Sequence, residues 1–216
     1  MLPLLPHVFA ELSEDFHTRQ NWESFNNPFV VIENMDLKNE LGIINLGGQE
    51  LLNIFNGTKK IESLKPLSMV YSGHQFGQYV EQLGDGRGLL LGQVSSNSGL
   101  IDIHLKGAGK TPYSRFGDGR AVLRSVIREY LCGEAMHALS IPTSRALMIL
   151  GSDEMVIREK SEAAAMLART AKTHIRFGSF EYFHYNNQPE NVKTLADFCI
   201  DQYPAYFSST PAAYED

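Results

Sequence analysis

The chain has 216 residues, of which 43% are hydrophobic and 20% charged, and its formal net charge is −6. This composition is typical of a globular protein in water, and the acidic balance argues against a general nucleic-acid-binding surface. No apolar run approaches the roughly 18 residues of a membrane span. The first residues include acidic side chains and lack a basic stretch, so we expect no signal or transit peptide and a cytoplasmic location.

Short elements are predicted for the first third of the chain. Residues 1–28 are expected to form an irregular arm with one short helix, and Phe29–Glu33 is expected to be a strand. Short helices are predicted over Leu37–Leu41 and Gln49–Phe55. We interpret His74 as structural rather than as a metal ligand, because no second histidine stands at ligand spacing.

A glycine-dense loop, Gly84-Asp85-Gly86-Arg87-Gly88, precedes an apolar strand predicted over Leu89–Val94. Glycine lets a backbone take positive φ and approach a ligand closely, so its N–H groups can point at phosphate oxygens. Arg87 adds a planar fork suited to phosphate. An Asp-Gly turn usually marks only a hairpin, but the position of this one, a strand before Lys106, favours a phosphate site.

The next strand is predicted over Ile101–Lys106, where apolar and polar side chains alternate. Its apolar residues should face a core, and Asp102, His104 and Lys106 should lie on the opposite face. If this strand pairs with the preceding one, Lys106 lies under the glycine loop.

A long turn follows and contains two further patterns. Gly109-Lys110-Thr111 is the tail of a Walker A phosphate loop, but the full pattern needs a glycine where His104 stands. Gly117-Asp118-Gly119-Arg120 repeats the earlier Gly-Asp-Gly-Arg. It is either a second backbone approach to a ligand or an ordinary turn.

Residues 121–139 carry apolar side chains at helical spacing and form the clearest predicted helix. Glu129 lies in this helix near the apolar stripe, where a carboxylate needs a partner. Lys106 is the natural candidate. Cys132 in this helix, and Cys199 further on, are expected to be buried, reduced thiols.

A hairpin is predicted next, with strands over Ser144–Leu150 and Met155–Glu159 around the turn Gly151-Ser152-Asp153-Glu154. The apolar run into Asp153 also resembles the end of a Walker B segment. The turn is preferred because another apolar segment follows at once.

The segment Ala163–Ala171 is apolar and is compatible with either a strand or a helix. Arg169 and Arg176 stand seven residues apart, a spacing compatible with one face of a helix. A last helix is predicted over Thr194–Tyr203.

Three long stretches of the sequence closely resemble the selenoprotein O family. They are YSGHQFGQYVEQLGDGRG, DIHLKGAGKTPYSRFGDGRAVLRSVIREYLCGEAMHAL and LARTAKTHIRFGSFEYF. The resemblance implies an α+β, protein-kinase-like fold, with an N-terminal small lobe of antiparallel sheet and one αC-like helix, plus the start of the large lobe. It implies three parts: an N-terminal arm and extension (1–67), a kinase-like nucleotide-binding lobe (68–183) and the start of a truncated helical lobe (184–216).

The activity implied by the resemblance is protein adenylylation. In it, AMP passes from ATP to Ser, Thr or Tyr hydroxyls of protein substrates with Mg²⁺ (or Mn²⁺), and ATP lies flipped relative to ordinary kinases. The implied partners are ATP and proteins, with no nucleic acid or membrane.

The resemblance also assigns nucleotide contacts to residues of this chain that match family motifs. They are Gly84, Gly86, Arg87, Lys106, Asp118, Gly119, Arg169 and Arg176. Glu129 matches the helix glutamate that pairs with the strand lysine, and it is not a catalytic base.

One departure from the family is large. Its Mg²⁺ ligands and catalytic Asp lie in a later segment, within patterns like NTDN and DYGPF, and neither pattern occurs in this sequence. We therefore expect no catalytic or metal-ligating residue in this chain, which resembles the N-terminal part of a longer protein. Alone it is expected to be inactive and to expose apolar surface.

Two other functions remain open on the residues alone. One is a P-loop ATP hydrolase that uses Gly109-Lys110-Thr111 together with Asp153. The other is a non-catalytic, pseudokinase-like module that binds ATP without transferring AMP.

Overall fold

The computed structural model describes residues 4–206, which fall into two compact units. Residues 4–70 and 84–174 form the first unit, and residues 71–83 and 175–206 form the second. The three-part division implied by the family resemblance stays a prediction.

Eleven strands are described in this range. They are β1 (Leu4–Leu5), β2 (His17–Arg19), β3 (Phe29–Glu33), β4 (Leu67–Met69), β5 (Gly73–Gln75), β6 (Gln78–Val80), β7 (Gly88–Ser96), β8 (Gly99–Lys106), β9 (Ala121–Val122), β10 (Arg145–Ile157) and β11 (Ser161–Ala171).

The described helices are fewer. They are α1 (Met35–Glu40), α2 (Gly48–Phe55), α3 (Leu123–Ala138), α4 (Phe177–Tyr185) and α5 (Pro189–Gln202), with short 3₁₀ helices at Val8–Glu11 and Pro204–Tyr206. None of the described helices is long and apolar enough to cross a membrane.

The first unit is built on one antiparallel sheet. Its strand order is β2-β4-β7-β8-β11-β10-β3, with β1 added beside β7 and β9 beside β11. The expected mixture of helices with an antiparallel sheet is therefore confirmed. The second unit contains the β5-β6 hairpin together with α4 and α5.

The pairing of β7 with β8 fixes the position of the glycine loop. Gly88, where the loop enters β7, lies opposite Lys106 at the end of β8. This register confirms the prediction that the two strands pair and that Lys106 lies next to the loop.

The burial of strand β11 explains why its sequence was compatible with either a strand or a helix. Ala164, Met166 and Ala168 pack into the main core, whereas Ala165 and Leu167 pack into a second core under α3. Because both faces of the strand are buried, its side chains show no apolar–polar alternation. The segment is therefore a strand, and Arg169 does not share a helical face with Arg176.

The prediction of a hairpin turn at Gly151–Glu154 is wrong. Strand β10 continues through this segment with an irregularity in its pairing to β11, and the connection to β11 comes after Ile157. A Cβ on Gly151 would lie 2.6 Å from the ring of Phe29 on β3. The glycine thus permits close strand packing, and Ser152 accepts the amide of Glu154 within the irregular segment.

The N-terminal segment is more ordered than the irregular arm that was predicted. It contributes β1 and β2 to the sheet, and Phe9 and Phe16 are buried beside them. The prediction of two buried thiols is wrong for Cys132, which is exposed on α3, while Cys199 is partly buried. Neither is in a disulfide.

Two residues of β10 provide a matched test of this core. Leu147 is 0% exposed and Ile157 is 82% exposed. We expect Leu147→Ala to lower the free energy of unfolding by about 2–5 kcal/mol, because it removes buried methyl groups and leaves a cavity. Ile157→Ala should change it by less than about 0.5 kcal/mol. Urea denaturation measures both, and similar losses would contradict the burial pattern along β10.

Candidate functional site

The strand lysine and the helix glutamate form the predicted ion pair. Lys106 Nζ donates to Glu129 Oε2, and Arg169 Nη1 on the neighbouring strand β11 donates to Oε1 of the same carboxylate at 3.2 Å. The side chains of Lys106, Glu129 and Arg169 are 21%, 27% and 16% exposed. One carboxylate on α3 therefore holds two cations that project from adjacent strands.

The charges of this cluster follow from burial and from one another. Burial raises the pKa of Glu129, but the charge of Arg169 and the hydrogen bond from Lys106 outweigh burial and leave the pKa below its ordinary value. Burial lowers the pKa of Lys106, and Glu129 opposes that shift only in part. Glu129 is thus ionised at neutral pH, and its single negative charge leaves the pair of cations with an excess of positive charge.

The glycines of the loop allow it to pack closely against another segment, and three of the loop amides already have protein acceptors. Its amides at Asp85, Gly86 and Gly88 donate to protein carbonyls, so these N–H groups are already used. A Cβ on Gly84, where φ is +59°, would overlap the ring of Tyr113, and a Cβ on Gly86 would lie 2.8 Å from its carbonyl oxygen. The glycines let the loop lie against the segment that contains Tyr113.

Arg87 is the side chain that this loop presents. The residue is exposed, and its Nη1 lies 3.5 Å from the carbonyl oxygen of Arg120. Desolvation lowers its pKa, and so do the positive charges of Arg158 and Arg169. Arg87 therefore belongs to the same cationic region as Lys106 and Arg169.

The second Gly-Asp-Gly-Arg forms a tight turn that a distant arginine closes. Asp118 accepts two hydrogen bonds from Arg158, at 2.6 and 2.9 Å, and a third from the backbone of Arg120. Gly119 has φ +72°, and a Cβ there would overlap the carbonyl carbon of Gly109. Arg158 gave no signal in the sequence, because its partner is 40 residues away.

Arg176 lies in the second unit, immediately before α4. Its guanidinium stacks over the ring of Tyr71 at 4.6 Å from the ring centroid. Its contribution to a phosphate site stays a prediction.

The geometry does not support a P-loop at Gly109-Lys110-Thr111. In a P-loop the lysine and threonine open a helix, whereas here turns follow and α3 begins only at Leu123. Thr111 instead donates to the carbonyl of Asp85 at 2.8 Å.

No three His, Cys, Asp or Glu side chains come together as a metal site among residues 4–206.

A buried polar cluster continues along β8 from Lys106. Asp102 and His104 were predicted on the face of β8 away from the core, yet each is 1% exposed. Asp102 accepts from His7 Nε2 at 2.7 Å and from Gln93 at 3.0 Å, and its other oxygen lies 3.2 Å from His174 Nδ1. The N-terminal segment thus covers this face of the strand with polar partners.

Burial lowers the pKa of His104 to about 3 from 6.5, and the charge of Arg169 adds to this effect. The unfolded chain then binds a proton below pH 6.5 that the folded chain does not, so stability should fall as the pH decreases. Between pH 7.5 and 5.0 we expect His104 alone to cost about 2 kcal/mol of unfolding free energy, measured by urea denaturation. His104→Asn should reduce this acid-dependent loss, and exposed His184→Gln should not. An unchanged loss in His104→Asn would contradict the assignment.

Substitutions at Gly99 and Gly119 distinguish the cost of backbone strain from the cost of a steric clash. Both have positive φ, but a Cβ on Gly99 would meet nothing within 4 Å. We expect Gly99→Ala to cost about 1 kcal/mol of stability, and Gly119→Ala to cost more than about 3 kcal/mol because backbone atoms of Gly109 must also move. Thermal or urea unfolding measures the stability of both variants. Equal losses of stability would argue against the close packing of Gly119 on Gly109.

Comparison with known proteins identifies the family of this chain. A sequence profile of the family described as protein adenylyltransferase SelO matches residues 5–216. A protein nucleotidyltransferase YdiU from Vibrio parahaemolyticus is 49% identical over 209 residues, which cover 96% of this chain and 43% of that protein. One from Myxococcus xanthus is 59% identical over 155 residues, covering 71% of this chain and 32% of that protein.

The chain spans about two fifths of the length of the Vibrio relative. The extent and identity of these matches show that the chain belongs to the protein adenylyltransferase SelO family.

Proposed function

We propose that this chain provides the ATP-phosphate-binding part of a protein adenylyltransferase, which transfers AMP from ATP to Ser, Thr or Tyr hydroxyls of proteins. The observation that carries the proposal is the cluster in which Glu129 holds Lys106 and Arg169 beside the Arg87 loop. Membership of the SelO family and the nucleotidyltransferase names of the relatives support it.

The charge of the cluster suits this chemistry. In AMP transfer a hydroxyl oxygen attacks the α-phosphorus of ATP, the hydroxyl proton passes to a base, and the bond between the α-phosphorus and the pyrophosphate oxygen breaks. Negative charge builds on the phosphate oxygens and the leaving group, so catalysis depends on positioning and charge neutralisation. Lys106, Arg87 and Arg169 would bind these oxygens, and Glu129 would orient Lys106 rather than act as a base.

A kinase-like small lobe is the fold we propose for this part. Kinases pair a strand lysine with a glutamate on a helix packed against the sheet, which is the relation of Lys106 on β8 to Glu129 on α3. On this proposal residues 68–183 form the nucleotide-binding lobe and residues 184–216 begin the helical lobe. Gly84, Gly86, Asp118, Gly119 and Arg176 are then further nucleotide contacts or supports for the loops that make them.

We also propose that the Mg²⁺ ligands and the catalytic Asp come from sequence outside this chain. The proposal rests on the relatives' greater length and on the family patterns missing from this sequence. This chain alone should then bind ATP without transferring AMP.

A pair of lysines tests the ATP site. Lys106→Ala should weaken ATP binding by about tenfold or more, because a charge-assisted contact to phosphate is lost. Lys110→Ala, a matched removal of an exposed lysine outside the cluster, should leave affinity unchanged. Isothermal titration calorimetry measures both. Loss of binding only in Lys110→Ala would instead favour the P-loop alternative.

The transfer step is tested with ATP labelled at the α-phosphate and Mg²⁺, using this chain and the longer Vibrio parahaemolyticus relative in parallel. Label on protein with the relative only would support the proposal. Label on neither protein, with ATP bound by both, would support the non-catalytic module. Phosphate release without protein labelling would support ATP hydrolysis.

A further inference from the structure

His104 occupies the space between the glycine loop and Arg169. It lies on β8 two residues before Lys106 and is 1% exposed. Its Nδ1 lies 2.9 Å from Arg169 Nη2, and its Nε2 lies 3.3 Å from Asp85 Oδ1 in the glycine loop. One imidazole therefore contacts two parts of the candidate site.

These two contacts determine the state of the ring. A guanidinium can only donate, so Nδ1 of His104 must accept and carry no proton. The proton of neutral His104 is then on Nε2, which donates to the Asp85 carboxylate. Burial and the charge of Arg169 keep the ring neutral, with its pKa lowered to about 3.

The surroundings of His104 keep the ring in place. The ring stacks on His174 with centroids 4.8 Å apart, and His174 is held by Asp102 through its backbone amide and Nδ1. Asp85, the other partner, accepts the amide of Met69 at 3.1 Å. His104 is thus fixed from both sides before any ligand binds.

Arg169 depends on this support. Its Nη1 is held by Glu129 and its Nη2 by His104, while its Nε is buried and lacks a hydrogen-bond partner among the described residues. Without the imidazole acceptor, two donor groups of a mostly buried guanidinium would be left without partners, which is costly. The side chain would then turn, and the direction in which it presents charge would change.

We propose that His104 is a positioning residue for nucleotide binding: its unprotonated Nδ1 aims the Arg169 guanidinium at the phosphates. The proposal rests on the proposed function, since it assigns to Arg169 a role in binding ATP. It adds that the orientation of Arg169 is set from within the sheet by a neutral histidine, in addition to Glu129 on α3.

Two substitutions of similar polarity at His104 test its two ring nitrogens separately. In His104→Asn the side-chain oxygen can take the place of Nδ1 and accept from Arg169, while the link to Asp85 is lost. In His104→Gln the amide reaches the place of Nε2, and the acceptor for Arg169 is lost. We expect His104→Asn to bind ATP within about threefold of the unchanged chain and His104→Gln to bind about tenfold more weakly.

Repeating both substitutions in an Arg169→Ala chain tests whether His104 acts through Arg169. A purely structural role of His104 would not depend on the presence of Arg169. There the difference in ATP affinity between the His104→Asn and His104→Gln variants should disappear, because the guanidinium that distinguishes them is gone. Equal affinities of the two single variants, or a difference that persists without Arg169, would overturn the proposal.

Lys106→Ala separates this inference from the proposed function. If ATP binding is absent or insensitive to Lys106→Ala, the proposed function fails and this inference fails with it. If Lys106→Ala weakens binding and His104→Gln does not, only this inference fails.

A measurement on the unsubstituted chain does not depend on the variants folding. Histidine side-chain nitrogen NMR should show His104 protonated at Nε2 and unprotonated at Nδ1 at neutral pH. A proton on Nδ1 would be incompatible with acceptance from Arg169 and would overturn the proposal.

Discussion

The arrangement of the candidate site depends on one carboxylate. Glu129 receives Lys106 from β8 and Arg169 from β11, and without it two neighbouring cations would repel each other in a partly buried setting. Breaking such a pair costs far more than the pair contributes net, because an uncompensated charge remains. α3 therefore has to pack across β11 in the register that brings Glu129 to the ends of both side chains, and the small core at Val126 and Leu167 provides that register.

The loops beside this carboxylate are positioned by backbone contact. Gly84 and Gly86 lie against Tyr113, and Gly119 lies against Gly109. Side chains at these points would push apart the segments that the glycines bring into contact. The glycines thus allow these segments to pack closely beside the cationic side chains.

The sequence predicts those features whose pattern lies within a few neighbouring residues, and not those that depend on distant segments. The β7-β8 pairing, α3 and the Lys106–Glu129 pair were predictable, because alternation, helical periodicity and an acid near an apolar stripe are visible within a few residues. The turn at Gly151 was mispredicted, since the chemistry of Gly-Ser-Asp-Glu is that of a turn while the glycine actually accommodates Phe29. His104 was placed on the correct face of β8, but its burial depends on segments far away in the chain.

The same long-range pairing has a consequence for the order of folding during synthesis. His7 hydrogen-bonds to Asp102, 95 residues later, and the backbone of Asn26 to Glu154, 128 residues later. As the chain leaves the ribosome, β2 can pair with β4 once residues 67–69 have been made. His7 and Asn26 must wait longer, because their partners lie in β8 and β10. Contacts of such long sequence separation form late and slowly, so the polar contacts that enclose the buried histidines are completed only after most of the first unit has been made.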